Sequence, residues 1–214
     1  MQILLSFLLA TLISGVATVP GDTPKKKVTR LFDGKTFNGW EGDTTHTWRI
    51  EDGALVGGSL TETVPHNEFL STTRDYSDFV LRLKFKLFGD DGFVNSGVQF
   101  RSQRIEDPPY EMTGYQADIG DGFWASLYDE SRRNKVLVHA DTALISRGLR
   151  RNDWNDYEIR CEGRRIRLRL NGKLTVDYTE EDLSIPQSGL IALQIHGGGK
   201  AEVHFKDITI EERR

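Results

Sequence analysis

The sequence predicts an all-β fold, a sandwich or barrel of short antiparallel strands. Three observations carry that reading. Phe79, Leu81, Leu83, Phe85 and Leu87 alternate with Arg82, Lys84 and Lys86, a half-buried strand with one wet face. Ile166, Leu168 and Leu170 alternate with Arg165, Arg167 and Arg169, and Leu174, Val176 and Tyr178 alternate again after Asn171-Gly172. Asn-Gly between two alternating runs marks a tight hairpin, because both turn residues must take positive φ.

Further strands fit around these. They are read near 48–56, 69–72, 95–102, 114–119, 124–128, 135–139, 154–162, 189–196 and 201–211. Asp33-Gly34, Asp52-Gly53, Asp91-Gly92, Asp121-Gly122, Glu162-Gly163 and Gly197-Gly198-Gly199 supply the turn chemistry. No segment carries a sustained amphipathic helical stripe, so helix is expected only as short turns. Leu190 to Ile195 is apolar on both parities except at Gln194, which reads as a strand covered on both faces.

The chain has 214 residues, enough for one domain with a sizeable core. A net charge of −4 argues against nucleic acid, which needs clustered Lys and Arg. Ile3 to Val16 is an apolar run followed by Gly15 and Ala17 in a cleavage frame. Residues 1–17 therefore read as a signal peptide, 18–28 as a polar linker and 29–212 as the domain, exported to the periplasm or secreted. No Lys or Arg precedes the run, so a retained membrane anchor is the alternative; no later run can span a bilayer. The single cysteine, Cys161, excludes an internal disulfide, fits a bacterial setting and reads as a small buried residue.

Three polar clusters break the strand pattern. In Asn95 to Arg101, Gln99 and Arg101 share a parity opposite to Val98 and Phe100. In Gly114 to Asp121, Gln116 and Asp118 point one way while Tyr115, Ala117 and Ile119 point the other. An amide beside a carboxylate suits the vicinal hydroxyls of a sugar, and Phe123, Trp124 and Tyr128 follow as stacking faces. The third cluster, Tyr128 to Asn134, sets Asp129 and Glu130 beside Arg132 and Arg133, either a charged turn or a carboxylate–guanidinium site. His196 ends the apolar strand before three glycines, as an acid, a base, a metal ligand or a core histidine. The other histidines offer it no partner at metal spacing.

At these clusters the chain resembles the 3-keto-disaccharide hydrolase family, from about Thr29 to Glu211. The likeness rests on Leu31-Phe32-Asp33-Gly34-Lys35 with Gly39-Trp40, Asn95-Ser96-Gly97 closing on Phe100-Arg101, and Gly114-Tyr115-Gln116-Ala117-Asp118. Trp154-Asn155, Asn171-Gly172 and Leu193-Gln194-Ile195-His196-Gly197 complete it. Other branches carry Glu where this chain has Gln116. The resemblance implies a concanavalin A-like jelly-roll of two antiparallel sheets. It also implies cleavage of glycosides whose sugar is oxidised to a ketone at C3, with a partner oxidoreductase making that ketone.

Jelly-roll glucanases set their carboxylates along one strand as Glu-x-Asp-x-x-Glu. The matching offsets here hold Gln116, Asp118 and Asp121, and an amide is neither nucleophile nor acid. A 3-keto sugar has an acidified C2 hydrogen, so a base can remove it and expel the group on C1, after which water can add. Asp118 or His196 is the expected base, Arg101 with Asn95 the oxyanion partner and Glu130 the acid. Gln116, Trp124, Tyr128 and Arg133 are the expected sugar contacts. No cofactor is certain; a divalent metal held by Asp118, Glu130 and His196 is the open alternative. The rival classes are a lectin-like binding module and a structural domain of a cell-envelope assembly.

Overall fold

Alternating apolar residues do assemble two sheets. The computed structural model describes residues 27–213, so the expected signal peptide at 1–17 and nearly all of the expected linker at 18–28 lie outside the described residues. In chain order the strands are β1 (Val28–Arg30), β2 (Trp40–Glu41), β3 (Trp48–Glu51), β4 (Ala54–Gly58), β5 (Glu68–Thr72), β6 (Phe79–Gly92), β7 (Asn95–Arg104) and β8 (Met112–Gly120). Then come β9 (Leu127–Glu130), β10 (Lys135–Val138), helix α1 (Thr142–Gly148), β11 (Asn155–Glu162), β12 (Arg165–Leu170), β13 (Lys173–Thr179), β14 (Leu190–Ile195) and β15 (Gly199–Glu212).

One sheet runs β13-β12-β11-β6-β15-β4-β3, with β1 added against β15; the other runs β10-β9-β8-β7-β14-β5-β2. Every pairing is antiparallel. Phe79, Leu81, Phe85, Ile159, Leu168 and Phe205 from the first sheet meet Val98, Phe100, Ala117, Ile119 and Leu193 from the second in one buried core. Each such side chain contributes about 1.5–3 kcal/mol on burial, and a one-residue slip would turn a whole set outward. That fixes register, and with it the face on which every polar residue emerges. On the outer face of the first sheet, Arg82 pairs across strands with Glu158 at 2.8 Å, the solvated ladder the alternation foretold.

The hairpin at Asn171-Gly172 has φ of 48° and 79°, both left-handed as its sequence requires. Other elements differ from expectation. Residues 48–56 form two strands rather than one, because Asp52 and Gly53 take φ of 47° and 73° and reverse the chain. The strand read at 124–128 begins only at Leu127, since Ala125 sits at φ 53° inside a turn. Helix α1 was not foreseen. It is seven residues long and is started by Asp141, whose side chain accepts from the backbone N–H groups of Ala143 and Leu144. Among the described residues no helix is long and apolar enough to cross a membrane.

Candidate active site

β8 lies between β7 and β9 with its odd residues in the core, so Gln116 and Asp118 must emerge on the far face of the second sheet. Register then decides their neighbours. Gln116 stands between Gln99 on β7 and Tyr128 on β9, and Asp118 stands beside Gly97, itself opposite Gln194 on β14. Gly97 leaves room for the Gln116 side chain: a Cβ there would lie 2.6 Å from Gln116 Cδ. One residue past β14, the His196 N–H donates to the Asn95 carbonyl at 3.1 Å, which ties the strand end to the same surface.

Gln116 bridges two carboxyl groups. Its Nε2 donates to Asp118 Oδ1 at 3.0 Å and to Glu130 Oε2 at 3.3 Å, and Gln194 Nε2 reaches the same Glu130 oxygen at 3.4 Å. Gln116 Oε1, Asp118 Oδ2, Gln194 Oε1 and both polar atoms of Gln99 are buried without a partner. Unpaired buried polar atoms are costly, and such a concentration in one place marks a site built for something other than stability. The cleft above them has a volume of about 110 Å³ and is walled by Phe93, Phe123, Tyr128, Asn95 and His196.

Desolvation governs the protonation here. Burial pushes the Asp118 carboxyl well above the usual carboxylate range; the Gln116 hydrogen bond opposes this and the Glu130 charge adds to it. Burial, reinforced by the charge of Glu111, raises Glu130 to about 7. Two carboxyl groups are thus held in reach of one amide, one of them poised to exchange a proton at neutral pH. His196 Nδ1 lies 2.7 Å from the Gly197 carbonyl, an obligate acceptor, so Nδ1 carries a hydrogen. The ring rests edge-on against Phe93, centroids 4.6 Å apart.

Of the residues expected at the site, Asn95, Gln116, Asp118, Tyr128, Glu130 and His196 line this cleft. Three do not. Arg101 shares the parity of Gln99 only in an unbroken strand, but β7 is bulged beyond Phe100 and Arg101 takes φ 49°. Its guanidinium is buried and donates to the Ser77 carbonyl, Gln187 and Asp78 instead. Arg133 follows Asp129 rather than Glu130: it pairs with the buried carboxylates of Asp129 and Glu180 and lies over the Tyr115 ring. Trp124 lines the neighbouring cavities, its indole N–H donating to Asp121 at 2.7 Å. Asp118, Glu130 and His196 also fail as a joint metal site; among the described residues no three His, Cys, Asp or Glu side chains are grouped to hold an ion.

Sequence reasoning missed the wall residue Phe93 and gave no role to Gln99 or Gln194. Gln194 had a signal, the one polar residue in an otherwise apolar strand, and Gln99 shared the parity of the polar face. Phe93 had none, because it lies between strands in a turn.

A family profile for the 3-keto-alpha-glucoside-1,2-lyase-like domain matches residues 27–211. The chain belongs to that family. No curated protein matches this family member in sequence. Among solved structures, a protein from Parabacteroides distasonis provisionally classed as a glycosyl hydrolase is 20% identical, with a TM-score of 0.66 over 87% of this chain and 94% of that one. A carbohydrate-binding module from Bacillus subtilis is 19% identical, with a TM-score of 0.63 over 81% of this chain and 96% of the other. A Bacillus licheniformis β-glucanase is 10% identical, with a TM-score of 0.56 over 90% and 100%. At such identities the likeness carries the fold: this family member is a concanavalin A-like sandwich related in architecture to both glycoside-cleaving and carbohydrate-binding proteins.

Proposed function

We propose that the domain cleaves 3-keto-glycosides by removing the C2 proton and expelling the group on C1. The observation that carries this reading is the pair of desolvated carboxyl groups, Asp118 and Glu130, joined by the Gln116 amide. The environments separate their roles. Glu130 ionises near 7 and is the base; both amide donors use Oε2, so Oε1 is left to take the proton. Asp118 stays protonated, and because Oδ1 accepts from Gln116, its hydrogen belongs on Oδ2. That O–H donates to the C3 oxygen as the ketone becomes an enolate, a carboxylic acid kept neutral by burial. This departs from the sequence expectation, where Asp118 or His196 was the base, Arg101 with Asn95 the oxyanion partner and Glu130 the acid.

The balance is simple. The C2 hydrogen goes to Glu130 and its electron pair forms the C1–C2 double bond through the enolate. The C1–O bond breaks, and the departing oxygen takes a proton from a water molecule to leave as an alcohol, so that the hydroxide left behind is what adds at C1 while Glu130 holds the C2 proton. That addition, with the Glu130 proton returned to C2, completes a net hydrolysis. Phe93, Phe123 and Tyr128 offer apolar faces to the sugar ring, while Asn95 and His196 hold its hydroxyls. An oxidoreductase acting on the glycoside at C3 supplies the substrate. The amino-terminal apolar run favours the periplasm or the cell exterior as the place of this chemistry, and fractionation of the native host would test it.

The decisive experiment follows aglycone release from 3-keto-glucosides carrying protium or deuterium at C2. Release should show a primary isotope effect, and Glu130→Gln should lower turnover at least about a hundredfold, the lower range for a positioned base. Asp118→Asn should cost less, since an amide still donates. Full activity in Glu130→Gln would transfer the role of base to His196 Nε2. The likeness to a carbohydrate-binding module favours a second reading, a lectin. No release from keto or ordinary glycosides, with sugar binding intact, would put that reading in its place.

A further inference from the structure

The Asp118–Glu130 cleft does not end at its walls. Phe93 also borders a second cavity of about 270 Å³, floored by the β6–β7 turn and bounded by Trp124 and Arg151. Trp124 and Arg151 in turn border a third, of about 500 Å³, closed by Ala140, Ile145 and Leu149 around helix α1. The three spaces are neighbours: Phe93 lines the first two, and Trp124 and Arg151 line the second and third. Their character changes from one to the next. The first has two carboxyl groups and two amides on its floor; the last has Trp124, Ala140, Ile145 and Leu149 in its lining, and Ser126 Oγ accepts the Ala140 N–H at 3.0 Å.

Trp124 packs against the core, its ring stacked on Phe85 with centroids 6.4 Å apart, and is also gripped at its polar edge. Its indole N–H is fixed by Asp121 at 2.7 Å, the same carboxylate grips Arg151 at 2.7 and 3.1 Å, and the Arg151 guanidinium lies over the indole, 5.9 Å from its centre. An aromatic plate fixed at its polar edge and left half-exposed between two cavities is a stacking surface. The α1 cavity joins Trp124 to Ala140, Ile145 and Leu149, with His139, Thr142 and Ser146 beside them, and its volume lies in the range of small-molecule sites.

We propose that these cavities form a leaving-group subsite that takes an extended aromatic aglycone, stacked on Trp124 and ending against Ile145 and Leu149. This rests on the reading that the sugar occupies the Asp118–Glu130 cleft. It makes the preferred substrates glycosides of planar, multi-ring alcohols rather than disaccharides.

Two measurements separate this proposal from that reading. Binding of free 4-phenylphenol is measured by calorimetry in the wild type, Trp124→Ala and Ser146→Trp. Ser146 is exposed on α1 and lines the cavity, so Ser146→Trp fills it from the surface. Turnover is then compared for the 3-keto-glucosides of 2-(biphenyl-4-yl)ethanol and ethanol, whose leaving oxygens are of similar acidity. The wild type should bind the phenol and favour the biphenyl substrate at least about tenfold in kcat/KM, a factor worth about 1.4 kcal/mol. Both variants should weaken phenol binding and remove the preference. No phenol binding by the wild type, or binding and preference unchanged in Ser146→Trp, would overturn the subsite. Failure of both glycosides to react would sink the catalytic reading alone, and phenol binding would still decide the cavity.

Discussion

Glu130→Gln should make the protein more stable at alkaline pH while disabling it. The folded state holds the Glu130 proton until about 7, against an ordinary 4.5. Below 4.5 the residue is protonated whether the chain is folded or not, and contributes no pH dependence. Between 4.5 and 7 the unfolded chain releases the proton and the folded one keeps it, so stability falls as pH rises. Above 7 the whole penalty of a buried carboxylate is present. At about 1.4 kcal/mol per pH unit the gap amounts to about 3 kcal/mol. A glutamine at this position is neutral throughout and can still accept from Gln116 and Gln194 through its carbonyl oxygen. Thermal unfolding of both proteins at pH 4.5 and 8.5 measures the effect. The variant should gain little at the lower pH and, for a domain of this size, about 6–12 °C in Tm at the higher. Equal differences at the two pH values would refute the raised ionisation and, with it, the case for Glu130 as a base near neutrality.

Three further outcomes follow from the same geometry. The kcat/KM of the wild type should rise with pH through about 7 as Glu130 ionises, and that limb should be missing from the residual activity of Glu130→Gln. Gly97→Ala would place a Cβ 2.6 Å from Gln116 Cδ and push the amide off its carboxyl partners; turnover should drop by at least about tenfold while denaturant unfolding shows a loss of about 1–3 kcal/mol, the range for overpacking. Arg101→Ala removes buried bonds to Ser77, Gln187 and Asp78 and should cost at least about 2 kcal/mol in urea unfolding. Its kcat/KM per folded molecule should stay near wild type, and a selective loss of turnover would return Arg101 to the active site.

Part of the candidate site is legible in the sequence because strand parity is a local property. Gln116 and Asp118 are two residues apart, so an uninterrupted β8 has to put both on the face opposite Tyr115 and Ala117. The same rule misleads at Arg101, where one left-handed residue in a bulge turns the side chain into the end of the sandwich. It also misleads at Trp124, which reads as part of a strand but lies in the turn before β9. Nothing in the residue types reveals either deviation: a non-glycine residue at positive φ is paid for by contacts made elsewhere in the fold.

By itself the sequence determined the two-residue period, the Asn171-Gly172 hairpin, the family likeness and the side of β8 on which chemistry would appear. These depend on neighbours a few positions apart, or on motifs whose order survives in the chain. The tertiary structure alone decided that the Gln116 amide joins Asp118 on β8 to Glu130 on β9. It also decided that Phe93 closes the cleft and that burial raises both carboxyl groups, Glu130 to about 7. A carboxyl group's affinity for its proton is set by the water excluded around it and by charges brought near by strand pairing, and neither is written in the residues beside it in the chain.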